Sequence, residues 1–401
     1  MSSVDNARAV LAALRFDHPA TPAPSSWPVA PFDWNDALDF ADRASLTPLL
    51  SRLDLPPEAR ARVDGAFSRN AARNDRVAEA YRELAPLFEH VLLKGATHVP
   101  DFTDDLRLRV QYDLDLYVPR AGCGHARDAL LKLGYEPVPG WKDVDHLPAM
   151  VRKTGYEWSG DYFDPEMPVG VEIHFQFWDE ASLCLRPAGL DAFWTRRQRG
   201  AGDLVACQLD LADRLGYAAL HLTRHLLRGN VRAFHVWELA RFLHTHRDDS
   251  FWQRWSDLHH PSLRCLESVV FRLAEQWFGC TLAPAAAAEI AALPPDALRW
   301  LDRHAFSPIE GMFRANKREL WLHLALCESR ADRRTILWRR LAPLSPPGQV
   351  DAIFVPDDRL TFARRVRKNM RQAAFVAHRA AHHARVLVPT LWDGLKWRLG
   401  R

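Results

Sequence analysis

The sequence predicts an α+β protein: a small mixed β-sheet core, a helical N-terminal lead-in and a mostly helical C-terminal half. Three observations carry that reading. Val91-Leu-Leu-Lys-Gly-Ala-Thr97 is a short apolar run that stops at Lys94-Gly95, as a buried strand does before a turn. Tyr112-Asp-Leu-Asp-Leu-Tyr-Val118 and Val169-Gly-Val-Glu-Ile-His-Phe-Gln-Phe177 alternate with the period of two that turns one parity toward a core. From Ala188 onward strand signals nearly vanish and apolar residues recur at helical spacing.

Taken in order, Val4 to Arg15 reads as a short amphipathic helix, followed by a Pro- and Ser-rich connector from Pro19 to Pro31. Asp33 to Leu53 reads as helical, with Asp33 or Asn35 as N-cap. Pro56-Pro57 opens the next helix, because a first turn has no use for the missing N–H. This helix runs toward Glu89, and most of its Arg and Glu read as solvated pairs. A helix is expected on the sheet between Gly95 and Arg107. Pro100 falls inside it at a cost of about 3 kcal/mol, so it should be short, kinked or late-starting.

Gly124 to Leu133 is a predicted helix closed by Gly134, and Tyr135 to Val138 a strand. Trp141 to Pro148 is a predicted loop. Val151 to Trp158 is a strand expected to pair with 169–177 across the Gly160–Pro168 turn. Helices are then predicted over Asp210–Leu227 and Ala233–Thr245, joined at Gly229-Asn230. More follow within Phe251–Gly279, Pro284–His304 and Asn316–Glu328, while Pro389 interrupts the last segment. The regions are 1–89 (helical), 90–187 (sheet core), 188–330 (helical domain) and 331–401 (basic helical segment).

The net charge of +3 over 401 residues is too small to imply nucleic-acid binding. Six scattered cysteines without a C-x-x-C pair argue against a zinc ribbon or a disulfide framework, and for a reducing cytoplasm. No signal peptide and no run of roughly 18 apolar residues is visible, so a cytoplasmic protein is expected. Richness in Ala and Arg suits a GC-rich bacterial genome. The stretch 359–401 stands apart, with many Arg and Lys and Asp393 as its only acidic residue. It reads as an exposed helical cap, as a surface for an anionic membrane, or as a nucleic-acid contact. Phe375, Trp392 and Trp397 favour the membrane over nucleic acid.

The chemistry concentrates in the strands. Asp113 and Asp115 share a parity and so a face, where two like charges need a compensating cation such as Mg2+. The plainer alternative is an edge strand with two solvated aspartates. Glu172 shares a face with His174 and Gln176 in a run that is otherwise strongly β-prone. Gly95 would let backbone N–H groups approach an anion at a helix N-terminus. Lys94 and Arg109 would each meet a phosphate or pair with a nearby carboxylate. His221 and His225 have metal-ligand spacing on a helix, but without an H-E-x-x-H frame or a third ligand the core or groove-lining reading prevails. His378, His382 and His383 read as part of a polar, basic helix face.

The order of the apolar strand, Lys94-Gly95, Arg109 before Asp113-Leu-Asp115, and then Val171-Glu-Ile-His174 resembles the uncharacterised bacterial nucleotidyltransferase family. That family lies within the polymerase-β-type superfamily. Trp34-Asn-Asp-Ala-Leu-Asp-Phe-Ala41, Leu46-Thr-Pro-Leu-Leu50, Leu220-His-Leu-Thr-Arg-His225 and Val236-Trp-Glu-Leu-Ala240 extend the resemblance over roughly 30–245. It implies a nucleotidyltransferase core at 90–187 and transfer of an NMP from an NTP, with Mg2+ or Mn2+, to a hydroxyl or phosphate. The acceptor would be a small molecule, a sugar or a peptide.

In that reading Asp113 and Asp115 hold the ion, and Glu172 completes the metal site or takes the acceptor's proton. Lys94, Gly95, Ala96, Thr97 and Arg109 meet the nucleotide, His174, His221 and His225 the acceptor, and 188–330 forms part of the acceptor pocket. Gly95-Ala96 departs from the superfamily's Gly-Ser, so a hydroxyl contact to phosphate falls to Thr97. The alternative is a catalytically inactive nucleotidyltransferase fold acting as a binding or scaffold protein, peripheral to the inner membrane.

Overall fold

The structure, a computed structural model, describes residues 2–17, 32–138, 145–200, 204, 207–341, 354–355 and 361–398. The connector expected at Pro19–Pro31, and the first part of the loop expected at Trp141–Pro148, lie outside these residues.

Ser2 and Asp5 close a reciprocal capping box at the start of α1 (Ser3–Ala13). Asp33 caps α2 (Trp34–Arg43) by accepting from the Asn35 and Asp36 N–H groups. The single helix expected over Asp33–Leu53 breaks at Ser45, whose φ of 61° leaves the helical region, and resumes as α3 (Thr47–Leu50). Proline at the first turn opens α4 (Pro57–Leu84), as the sequence requires.

One arginine of α4 departs from the solvated pattern expected for that helix. Arg73 is fully buried and donates to the carbonyls of Gln111 (2.7 Å), Met167 (2.7 Å), Tyr112 (3.2 Å) and Asp164 (3.2 Å). Asn70 and Asn74 on the same face both donate to the Arg109 carbonyl at 3.0 Å. These three side chains satisfy the irregular backbone that leads into the Asp113–Asp115 strand, and so fix where it begins.

The sheet comprises β1 (Val91–Leu92), β2 (Asp113–Tyr117), β3 (Tyr135–Pro137), β4 (Met150–Arg152) and β5 (Gly170–His174), in spatial order β1-β2-β5-β4-β3. Only β2 and β5 run parallel; the other neighbours are antiparallel, which makes the sheet mixed. The helix α5 (Cys123–Lys132) ends ahead of Gly134, which sits at φ 81°. No α-helix forms between Gly95 and Arg107. Two single 3-10 turns, Gly95–His98 and Leu106–Leu108, take its place on either side of Pro100, which cannot supply the N–H a continuing helix needs. The strand expected over Val151–Trp158 shrinks to β4, which meets β5 at one register pair, Met150 with Val171. Its continuation finds other partners: the Gly155 N–H bonds to the Phe354 carbonyl.

The helical half consists of α6 (Glu180–Leu183), α7 (Asp191–Thr195), α8 (Leu211–Arg228), α9 (Ala233–Thr245), α10 (Asp249–Leu258), α11 (Pro261–Phe278), α12 (Pro284–Ala291), α13 (Pro295–His304), α14 (Ser307–Gly311), α15 (Glu319–Leu326), α16 (Arg330–Leu341) and α17 (Phe362–Arg398). Pro389 does not interrupt α17, contrary to the sequence reading. Beyond Val386 the helix is packed onto the body through Thr390, Gly394 and Trp397, and this docking outweighs the one hydrogen bond the proline removes.

Apolar packing divides at the sheet. One core joins α1–α3 to the helices after α7, through residues such as Val10, Phe40, Leu220 and Trp255. The other lies on the opposite face, where Leu114 and Leu116 of β2 and Val171 and Ile173 of β5 meet Tyr81, Leu84, Ala126 and Leu130. Strand alternation then turns Asp113, Asp115, Glu172 and His174 the other way, toward α8 and α9.

Candidate active site

The parallel register sets Asp113 beside Gly170, Asp115 beside Glu172 and Tyr117 beside His174. Side chains level with one another on neighbouring strands share a face, so residues almost sixty positions apart in sequence meet. His174 Nε2 lies 3.0 Å from Asp115 Oδ1 and 3.5 Å from Glu172 Oε2. The ligand atoms of Asp115, Glu172 and His174 all fall within 4.8 Å of one another.

Lys94 closes the other side. Its N–H neighbour Leu93 bonds to the Asp115 carbonyl at 3.0 Å, which continues the β1–β2 pairing and aims the lysine across it. Lys94 Nζ then sits 2.7 Å from Asp115 Oδ2. Asp115 is buried, and burial alone would raise its pKa. Lys94 and His174 overcome that and hold its carboxyl well below the usual range. For His174 burial would favour the neutral ring, yet hydrogen bonds to Asp115 and Glu172 push it up to about 9. Glu172 is lowered, against its own burial, by His174. Asp113 has no ion pair among the described residues: burial, then the charge of Asp115, raise it to about 6 against the weaker pull of Lys94 and Arg232.

Lys94, Asp113, Asp115 and Glu172 form one end of a cavity of about 430 Å³. The opposite wall comes from α8 and the start of α9 and is basic: Arg224, Arg228 and Arg232, with the imidazoles of His221, His225 and His235. Arg224 pairs with Asp145, and Arg228 with Asp179 at 2.7 Å. Arg232 lies over the Tyr112 ring (4.9 Å) and has no ion pair among the described residues. Burial, reinforced by nearby cations, lowers His221 well below its ordinary value and His225 to about 2. Burial also brings His235 down to about 4, so all three rings are neutral at physiological pH.

A strand pair presenting carboxylates to a cavity with a basic opposite wall suits an anion bound together with a cation. Comparison with known proteins agrees. The family described as Uncharacterised nucleotidyltransferase matches residues 30–279, from just before α2 to the end of α11. The chain belongs to this nucleotidyltransferase family. No curated protein and no solved structure matches it.

The family implies an NTP substrate and, typically, divalent metal. The nucleotidyltransferase site offers oxygen donors that suit a hard cation, in Asp113, Asp115 and Glu172. Asp113, raised by burial and then by the charge of Asp115 more than Lys94 and Arg232 lower it, and without an ion pair among the described residues, is the carboxyl a divalent ion would relieve.

Of the residues singled out in the sequence, Lys94, Arg109, Asp113, Asp115, Glu172, His221 and His225 all line the cavity. Lys94 and Arg109 both spend their charge on carboxylates of the chain: Lys94 on Asp115, and Arg109 on Glu238, a buried partner on α9 that also meets His98. His174 is fully buried beneath the carboxylates and orients them. Gly95, Ala96 and Thr97 do not line the cavity. The amide of Gln111 covers Gly95 so closely that a Cβ there would meet it at 2.7 Å.

Asp145, Arg224, Arg228, Arg232 and His235 were not singled out by sequence reasoning. Arg224 and Arg228 carried a usable signal. They fall three and seven positions after His221, on the helix face that His221 marks. Asp145 sits in a loop with no periodicity to place it.

Proposed function

We propose that this site transfers a nucleoside monophosphate from an NTP to a hydroxyl or phosphate of a small molecule, sugar or peptide. The observation that carries the reading is the β2–β5 register, which sets Asp115 beside Glu172, with Asp113 two residues along the same strand face, in a cavity also lined by Arg224, Arg228 and Arg232.

A Mg2+ or Mn2+ ion held by Asp113, Asp115 and Glu172 would neutralise the triphosphate and make the α-phosphorus electrophilic. The chain's own residues supply positioning. Arg232, exposed and without an ion pair among the described residues, meets the phosphates bidentately, and Arg228 and Arg224 extend the same wall. His174, protonated and fixed by two carboxylates, keeps Asp115 and Glu172 ionised and oriented toward the cavity. The acceptor oxygen bonds to the α-phosphorus as the bond to pyrophosphate breaks. Its proton passes to a carboxylate at the cavity mouth, Glu172 or Asp113. His221, His225 and His235, all neutral, offer the acceptor hydrogen-bond donors and acceptors without adding charge.

One observation favours a second reading, a nucleotidyltransferase fold that binds without transferring. Asp115 is already neutralised by Lys94 at 2.7 Å and His174 at 3.0 Å. Calorimetric binding of ATP, GTP, CTP and UTP, with and without Mg2+, together with pyrophosphate release from each NTP, separates the two for wild type, Asp113→Asn and Glu172→Gln. Metal-dependent pyrophosphate release that both substitutions abolish supports transfer, and metal-dependent binding without release supports the second reading. Equal metal and NTP affinity in all three proteins overturns transfer.

A further inference from the structure

The site leaves α17 unused. Its C-terminal third is clamped to the body: Val386, Thr390 and Trp397 are buried, Gly394 lies against the Trp321 ring, and Asp393 pairs with Arg318 at 3.2 Å. The face turned away from this clamp stays open, with Val388 72 % exposed and Leu391 and Leu395 each 49 %. Residues before His382 are mostly exposed on every side of the helix. There Phe362, Val366 and Met370 follow at four-residue spacing, 85 %, 41 % and 68 % exposed. At 3.6 residues per turn Val388 stands about five turns beyond Met370, so the two groups form one apolar stripe along the helix. Arg364, Arg365, Arg367, Lys368 and Arg371 flank and oppose its first part, and no acidic residue occurs in α17 before Asp393.

We propose that α17 lies on an anionic lipid surface, with the Phe362–Leu395 stripe among the acyl chains and its arginines and lysine at the headgroups. An apolar stripe flanked by cations is the arrangement that suits the interface of an anionic bilayer. The helix lies on the membrane and does not cross it: among the described residues no helix is long and apolar enough to span one. A second copy of the chain is a poor occupant, since two such helices side by side in parallel would set Arg365, Arg367 and Lys368 against the same residues of the partner. Nucleic acid would satisfy the cations and leave the stripe in water.

The test is sedimentation of the full chain with phosphatidylglycerol-containing vesicles and with pure phosphatidylcholine vesicles. One variant carries Phe362→Ala, Val366→Ala and Met370→Ala; a second carries Arg365→Glu, Arg367→Glu and Lys368→Glu. Five of the six positions are exposed and Lys368 is half-buried, and unchanged circular dichroism checks that both variants keep the fold. The expected result is binding to the anionic vesicles alone, about tenfold weaker in either variant, and weakened by about 0.5 M salt. Absence of binding to anionic vesicles, or binding that neither variant weakens, overturns the proposal. So does a dimer, or a complex with single-stranded nucleic acid, formed by a chain that leaves the vesicles bare.

Discussion

The buried ion cluster around His259 makes a quantitative test of what holds the helical half together. His259 is wholly inside the protein, with Nε2 3.2 Å from Asp213 Oδ1 and Nδ1 2.9 Å from Glu267 Oε1. Arg196 grips Asp213 through two hydrogen bonds, and the Trp255 indole donates to Glu267 at 3.0 Å. Burial alone would drive the imidazole neutral. The Glu267 and Asp213 carboxylates outweigh it and raise His259 from 6.5 to about 9. A group raised on folding contributes stability that is full below its unfolded pKa and is lost as pH climbs through its folded one. At about 1.4 kcal/mol per pH unit, the interval from 6.5 to about 9 is worth about 3 kcal/mol. His259→Gln should therefore cost about 3 kcal/mol at about pH 6 and well under half of that at about pH 10. Urea unfolding of both proteins at the two pH values measures this, and the comparison cancels titrations common to both. An equal gap at the two pH values would refute an imidazolium at this position.

Three further outcomes follow from the same coordinates. Gly216→Ala should destabilise by about 1–3 kcal/mol in urea, because its Cβ would meet His259 Cε1 at 2.8 Å and Glu267 Oε1 at 2.9 Å. Mn2+ binding should weaken as pH falls through about 6, where Asp113 becomes neutral. Asp113→Asn should remove that inflection, as read by titration at several pH values. Arg232→Ala should lower NTP affinity roughly tenfold while leaving the urea midpoint nearly unchanged, since the side chain is exposed and forms no ion pair among the described residues.

Strand parity was enough to place the acidic face. Leu114, Leu116, Val171 and Ile173 demand a core, so Asp113, Asp115, Glu172 and His174 had to share the other side. Parity could not say that the two strands lie side by side in parallel, because that depends on backbone pairing across more than fifty residues. The buried role of Arg73 was hidden for a different reason. On a long charged helix it looks like its solvated neighbours, and only the irregular backbone it satisfies tells it apart. The partners of Lys94 and Arg109 were open in the sequence and are decided by proximity, to Asp115 on the adjacent strand and to Glu238 on α9. At Pro389 local chemistry pointed to a break, and tertiary packing on either side of the residue prevailed.

The gathering of three carboxylates around a divalent ion is tested most directly by a crystal grown with Mn2+ and a non-hydrolysable NTP, using the metal's anomalous signal. The account predicts a peak within coordination distance of Asp113, Asp115 and Glu172, with the phosphates turned toward Arg232. A nucleotide bound with its metal elsewhere, or Lys94 still seated on Asp115 with no metal beside it, would contradict it.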